Sequence, residues 1–275
     1  MAEAAEERAA AKEKELEKGR MPFLSHLVEL RDRVRNAAIW FMAAFVVCWF
    51  FADRIYTWLK APLFAVWPKS AGEPHLVFGT LTEPFWVDMS LGLWAGIFLS
   101  SPFIFYQLWR FIAPGLYKRE RRVTVTFAVL SAVFFCAGAA FCYYWVLGNL
   151  YGFLIGYAGK ALDPMIAMGA YLDLTRDMML AFGAVFELPL LIYFLAMVGL
   201  VTHRGLWKFN RWFIVIAFIV GAILTPSPDV VSQIMMATPM VILYNISILF
   251  AWRVTKKREA RAAAVERGED PDAQN

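Results

Sequence analysis

The chain has 275 residues, 60% of them hydrophobic and only 18% charged, with a formal net charge of +4. A soluble globular domain is nearer half apolar and one quarter charged, so this balance excludes an ordinary water-soluble fold. The small positive charge does not indicate nucleic-acid binding either, because the basic residues are confined to short stretches beside long apolar runs.

In chain order, residues 1–22 are mainly Ala, Glu, Lys and Arg without an apolar face, a charged solvated tail that is either a solvated helix or, as the simpler expectation, disordered or fraying. It has no apolar core of its own, so no cleavable signal peptide is read there. Phe23–Arg35 follows as FLSHLVELRDRVR. Phe23, Leu24, Leu27, Leu30 and Val34 recur at helical spacing and the charges fall opposite, which predicts an interfacial amphipathic helix running into a membrane span.

A spanning helix needs about 20 mostly apolar residues. Six runs qualify as candidates, at 36–52, 90–112, 123–147, 178–200, 212–224 and 230–252. They place a six-helix membrane domain at 23–252 and leave 253–275 as a charged, disordered cytoplasmic tail. The segment after the first span carries Pro62, Pro68, Pro74 and Pro84 among many aromatics, an irregular cap at the membrane interface. The second span contains Gly92 and Gly96, a GxxxG that lets two helices approach closely, then Pro102, which predicts a kink. Pro114-Gly115 marks a turn, and Lys118–Arg122 is a dense charge cluster. Beyond the third span, spaced glycines and Asp163-Pro164 predict a second irregular loop with a short helix. Val201–Arg211 is expected to be a polar turn. The 13-residue fifth run would then rise about 20 Å against about 30 Å of hydrocarbon, so that it must thin the bilayer or recruit partners.

Lys and Arg divide 22 to 5 between the two sides of this alternating path. By the positive-inside rule both termini are cytoplasmic, as an even number of spans requires. The fold class is an all-α polytopic membrane protein of six transmembrane helices, N-in and C-in, with irregular outer loops.

No phosphate-binding GxxxxGK[ST], dinucleotide-binding GxGxxG or nucleophile-elbow GxSxG occurs. His26, His75 and His203 lie in three separate loops, and Cys48, Cys136 and Cys142 lie inside spans, so neither a metal site nor a disulfide framework is expected. No catalytic residue, cofactor or enzyme activity is read from the chain. What remains is polar groups in unusual places. Glu29 and Glu120 sit at span edges on the same predicted face, each among Arg or Lys. Either those neighbours neutralise them locally, or the two carboxylates hold two guanidinium groups by bidentate contacts. Glu187 lies mid-span with no opposite charge within a turn, at a cost of about 2.5–3.5 kcal/mol on insertion scales. It is either a functional group or a structural hydrogen-bonding partner of a neighbouring helix. Gln233 is a milder case that can bond across helices.

Four motifs carry a family resemblance: FLSHLVELRDR at Phe23–Arg33, FIAPGLYKRER at Phe111–Arg121, AFGAVFELP at Ala181–Pro189 and LTPSPDVVSQ at Leu224–Gln233. Together they resemble the TatC family, the multispanning subunit of the twin-arginine protein translocase. The resemblance implies six tilted helices forming a concave, cupped wall in the inner (plasma) membrane of a bacterium. It implies docking of twin-arginine signal peptides, with the signal arginines meeting carboxylates at the positions of Glu29 and Glu120. Arg31 and Phe111 also match positions the family uses there, and Pro62 matches a structural one. Glu187 would be a polar point inside the cup, with Asp229 and Gln233 near the outer ends of the last two spans. The implied partners are the single-span subunits TatA and TatB, precursor proteins, membrane lipid and further copies of the chain, with the proton-motive force as driving force. Where many relatives carry Glu in the sixth span, this chain has Asn245. A proton-coupled solute transporter using Glu187 is the alternative from another class, although the two halves of the chain show no self-similarity of the kind many transporters have.

Overall fold

The computed structural model describes residues 2–112, 121–158, 164–225 and 229–267. Helix α1 is Ala2–Phe50, and the short helices α2 (Ala52–Leu59) and α3 (Ala61–Ala65) follow it. Next come α4 (Glu83–Ile112) and α5 (Arg121–Phe141), which passes through a π-helical stretch, Cys142–Leu147, into α6 (Gly148–Ala158). Helices α7 (Met168–Phe186), α8 (Leu188–Val198), α9 (His203–Leu224) and α10 (Val230–Glu266) complete the chain. Among the described residues six stretches are long and apolar enough to cross a membrane: His26–Phe50, Glu83–Ile112, Thr124–Tyr157, Met168–Val198, His203–Leu224 and Val230–Lys256.

Two expectations need correction. Residues 2–22 take the solvated-helix alternative, as the first part of α1, but the tail after 252, expected to be disordered, continues α10 to Glu266. Both stretches are rich in Ala, Glu, Lys and Arg, among the strongest helix formers, so propensity extends the helices where no apolar face exists. The polar turn at Val201–Arg211 is also mostly helix. Thr202 caps α9, its hydroxyl accepting from the Gly205 N–H at 3.3 Å. Tyr244 then donates to the Leu206 carbonyl at 2.9 Å, and the Phe213 and Tyr244 rings stack 3.9 Å apart, which ties the polar start of α9 to α10. With 22 residues α9 rises about 33 Å, enough for a full span, and the argument for a thinned bilayer falls. Pro102 lies inside α4, which continues past it. It cannot donate to the carbonyl four residues earlier, that of Phe98, but the Ser101 hydroxyl does so at 2.8 Å.

The helices pack in the order α1, α4, α5, α7, and then α8, α10, α9, so α1 and α9 lie at the two ends of one row. Two close approaches set that row. A methyl group on Gly92 or Gly96 would come within 3.1 Å of Phe45 of α1, the role the GxxxG predicted. A tighter contact joins α5 to α7: a Cβ on Gly138 would lie 2.5 Å from the Phe182 carbonyl oxygen, and one on Gly183 would lie 2.7 Å from the Phe135 ring.

The main buried cluster lies towards the side of the molecule, along the helix axes, that holds α2, α3 and the π-helical stretch. It includes Leu59, Leu63, Leu91, Cys142, Val146, Leu147, Leu150, Met178 and Phe182. The loops here form an ordered cap. Tyr143 and Tyr171 donate to the carbonyls of Trp58 and Leu59 at 2.6 and 2.7 Å, satisfying the C-terminal end of α2. The two long loops meet where Val77 and Ala167 bridge and where the Glu83 carboxylate accepts from the Gly79 and Gly169 N–H groups at 2.7 and 2.8 Å. Pro62 stands in the first turn of α3, where its missing N–H costs nothing.

Candidate functional site: the joined ends of the first two spans

At the opposite ends of the helices from the cap, two of the four motifs come together. His26 on α1 stacks on Phe111 at the end of α4, with ring centroids 4.3 Å apart and planes 16° from parallel. This contact fastens FLSHLVELRDR to the start of FIAPGLYKRER. Sequence reasoning gave His26 only ordinary interface chemistry; its partner lies 85 positions away and leaves no local signal.

One turn along α1, Glu29 accepts from the Arg33 guanidinium, Oε1 to Nη2 at 2.8 Å, with side chains 36% and 17% exposed. For Glu29, then, the local pairing foreseen as one of two alternatives is present. Arg31 points to solvent, its side chain 70% exposed and 3.3 Å from Asp32, which also takes Arg35 at 3.5 Å. Exposed pairs of this kind contribute about 0–1 kcal/mol, so they hold the charges loosely. Glu120 lies outside the described residues.

Glu187 is not part of this cluster. It caps both α7 and α8, at a break in the fourth span enforced by Pro189, which stands in the first turn of α8 and lacks the N–H that a continuous helix would use. Its half-buried carboxylate faces Ser131 and the backbone of Phe135 on α5, and Oε1 is buried without a hydrogen-bond partner. Ser131 in turn accepts from the Trp109 indole at 2.8 Å, and Trp109 packs against Phe127 and Phe194. A polar line therefore runs from Trp109 of α4, two residues before Phe111, through Ser131 towards Glu187. An apolar groove of 440 Å³, lined by Phe141, Trp145, Phe186, Met235 and Pro239 among others, opens beside the break.

Asp229 and Gln233 stand at the far end, with the loop cap. Asp229 caps α10, Oδ1 accepting from the Ser232 N–H at 2.7 Å. The Gln233 backbone lies against Gly221 of α9. Asn245 bonds Asn210 of α9 at 3.4 Å and the Val241 carbonyl at 2.8 Å, so it joins two helices by neutral polar groups.

The fold and these sites define a polytopic helical membrane protein with charged motifs gathered at one end and an ordered cap at the other. Comparison with known proteins makes the class specific. The family model described as Sec-independent protein translocase protein (TatC) matches residues 25–239. A protein named Sec-independent protein translocase protein TatC from Koribacter versatilis is 39% identical over 248 residues, covering 88% of this chain and 91% of that protein. One of the same name from Aquifex aeolicus is 36% identical over 241 residues, covering 87% and 98%. A crystal structure of the twin arginine translocase receptor TatC superposes with a TM-score of 0.74 at 36% identity, covering 84% of this chain and 99% of that one. The chain belongs to the TatC family and is a multi-pass membrane component of the Sec-independent protein translocase. Solute transport through Glu187 is accordingly set aside.

Proposed function

We propose that this chain is the signal-peptide receptor and core subunit of the twin-arginine translocase. It docks Arg-Arg signal peptides on the cytoplasmic face of a bacterial inner membrane, with both termini on that side. The observation that carries this reading is the His26–Phe111 stack, which brings the motif holding Glu29 and Arg31 to the start of the motif holding Glu120. Two carboxylates presented from joined motifs suit two adjacent guanidiniums, because charge-assisted contacts to arginine are directional as well as strong. Glu29 is the first acceptor and Glu120 the second, with Phe111 and Arg31 as further contacts of the signal. Glu187, the groove beside it, Asp229 and Gln233 receive the single spans of TatA and TatB. No reaction is catalysed; transport of the folded precursor draws on the proton-motive force.

Binding of a fluorescent Arg-Arg signal peptide to the purified protein tests this directly. Glu29→Ala and Glu120→Ala should each weaken binding at least tenfold, and Glu120→Gln should do the same, since losing one charged hydrogen bond costs about 1.5–3 kcal/mol. Export of a precursor should fall in parallel while the variants still insert. Normal binding and export in both alanine variants would refute carboxylate docking.

A further inference from the structure

The pair at Glu29 has a lopsided geometry. Only Glu29 Oε1 meets Arg33, through Nη2 at 2.8 Å, and among the described residues no hydrogen bond reaches Oε2. The two partners also differ in freedom. Arg33 is 17% exposed and its Nε is buried, whereas Glu29 is 36% exposed. A guanidinium competing for the site would be expected to grip both carboxylate oxygens and to sit in solvent where it could leave. Arg33 does neither: its stem is packed, and it holds one oxygen while leaving the other open. We propose that Arg33 is a positioning residue for the twin-arginine signal, fixing the Glu29 carboxylate so that Oε2 faces the incoming guanidinium. The signal arginine then adds to the Glu29–Arg33 pair and does not displace it; a carboxylate has lone pairs enough for two such donors. The gain is preorganisation. Without Arg33, Glu29 is a free surface rotamer that must be ordered on binding, and ordering one such side chain weakens affinity by roughly threefold to tenfold. Arg35, bonded to Asp32 and 63% exposed, carries the same charge two residues away without touching Glu29 and serves as its control.

This inference rests on the reading of Glu29 as an acceptor for the signal, and the test separates the two. Affinities of an Arg-Arg signal peptide are measured for the full-length protein in nanodiscs, with thermal unfolding of each variant alongside. Arg33→Gln and Arg33→Met should bind three- to tenfold more weakly. Arg33→Lys, which keeps a donor on a packed stem, should recover most of that loss, and Arg35→Gln should stay within twofold of the parent. Tighter binding in Arg33→Gln would mean that Arg33 competes with the signal, and would overturn the proposal. So would unchanged binding, or an equal loss in Arg35→Gln. If Arg33→Gln is thermally unstable, Arg33→Lys decides: binding as weak as in Arg33→Met, in a chain that unfolds like the parent, rejects positioning by a donor. If Glu29→Gln itself binds normally, it is the docking reading that fails.

Discussion

The cap end and the motif end of the helices are held in different ways. At the cap, buried tyrosine hydroxyls close the end of α2, and one glutamate clamps backbone N–H groups from two loops. At the motif end, one ring stack joins the spans and the charges pair weakly in solvent. Buried hydrogen bonds that lose a partner leave a desolvated group behind, whereas exposed pairs lose little. The cap is therefore built for rigidity, and the motif end keeps charged groups available to a ligand. Substitutions at the first end should cost stability, and substitutions at the second should cost binding.

The largest stability loss is expected away from both ends, at the α5–α7 contact that supports them. Gly138→Ala places a methyl against the Phe182 carbonyl at 2.5 Å, and overpacking of that kind costs about 1–3 kcal/mol. Thermal unfolding in detergent should show a clearly lower midpoint. Next is Tyr171→Phe, which deprives the Leu59 carbonyl of its buried donor. A loss of about 1–2 kcal/mol is expected, with signal-peptide affinity unchanged; a change in affinity without loss of stability would invert the comparison. Trp109→Phe removes the interhelical bond to Ser131, worth about 0.6–1.7 kcal/mol in membrane helices. The smallest stability effect is predicted for Phe111→Ala, under about 1 kcal/mol for a half-exposed stack, yet it should weaken signal binding more than the other three.

These contrasts also mark what the sequence could and could not disclose. The six apolar runs were legible because a hydrocarbon slab imposes length and composition on every span. So was a close approach at Gly92 and Gly96, one turn apart on one helix, though not that its partner is α1. The tighter approach of α5 to α7, at Gly138 against Phe182 and Gly183 against Phe135, was not, because each glycine stands alone and the contacts exist only after folding. Helix ends were hardest. The start of α9 is polar, yet Tyr244 and Phe213 hold it as helix, a tertiary effect that hydropathy does not register. In the site, Glu29 and its charged neighbours could be read from FLSHLVELRDR, but not that Arg33 in particular takes one of its oxygens, nor that His26 reaches Phe111. Glu187 was legible as an isolated charge; that it ends one helix and begins the next follows from Pro189 only once the break is seen.

The central claim is that the joined ends of α1 and α4 receive the signal while the cap does not. Photo-crosslinking from a single probe placed at Phe111 or at Phe78, which is 56% exposed on the cap, tests it most directly. With an Arg-Arg precursor in inverted membrane vesicles, the account predicts an adduct from position 111 that is lost when the signal carries Lys-Lys, and none from position 78. An adduct from position 78 that depends on the arginine pair, with none from position 111, would contradict it.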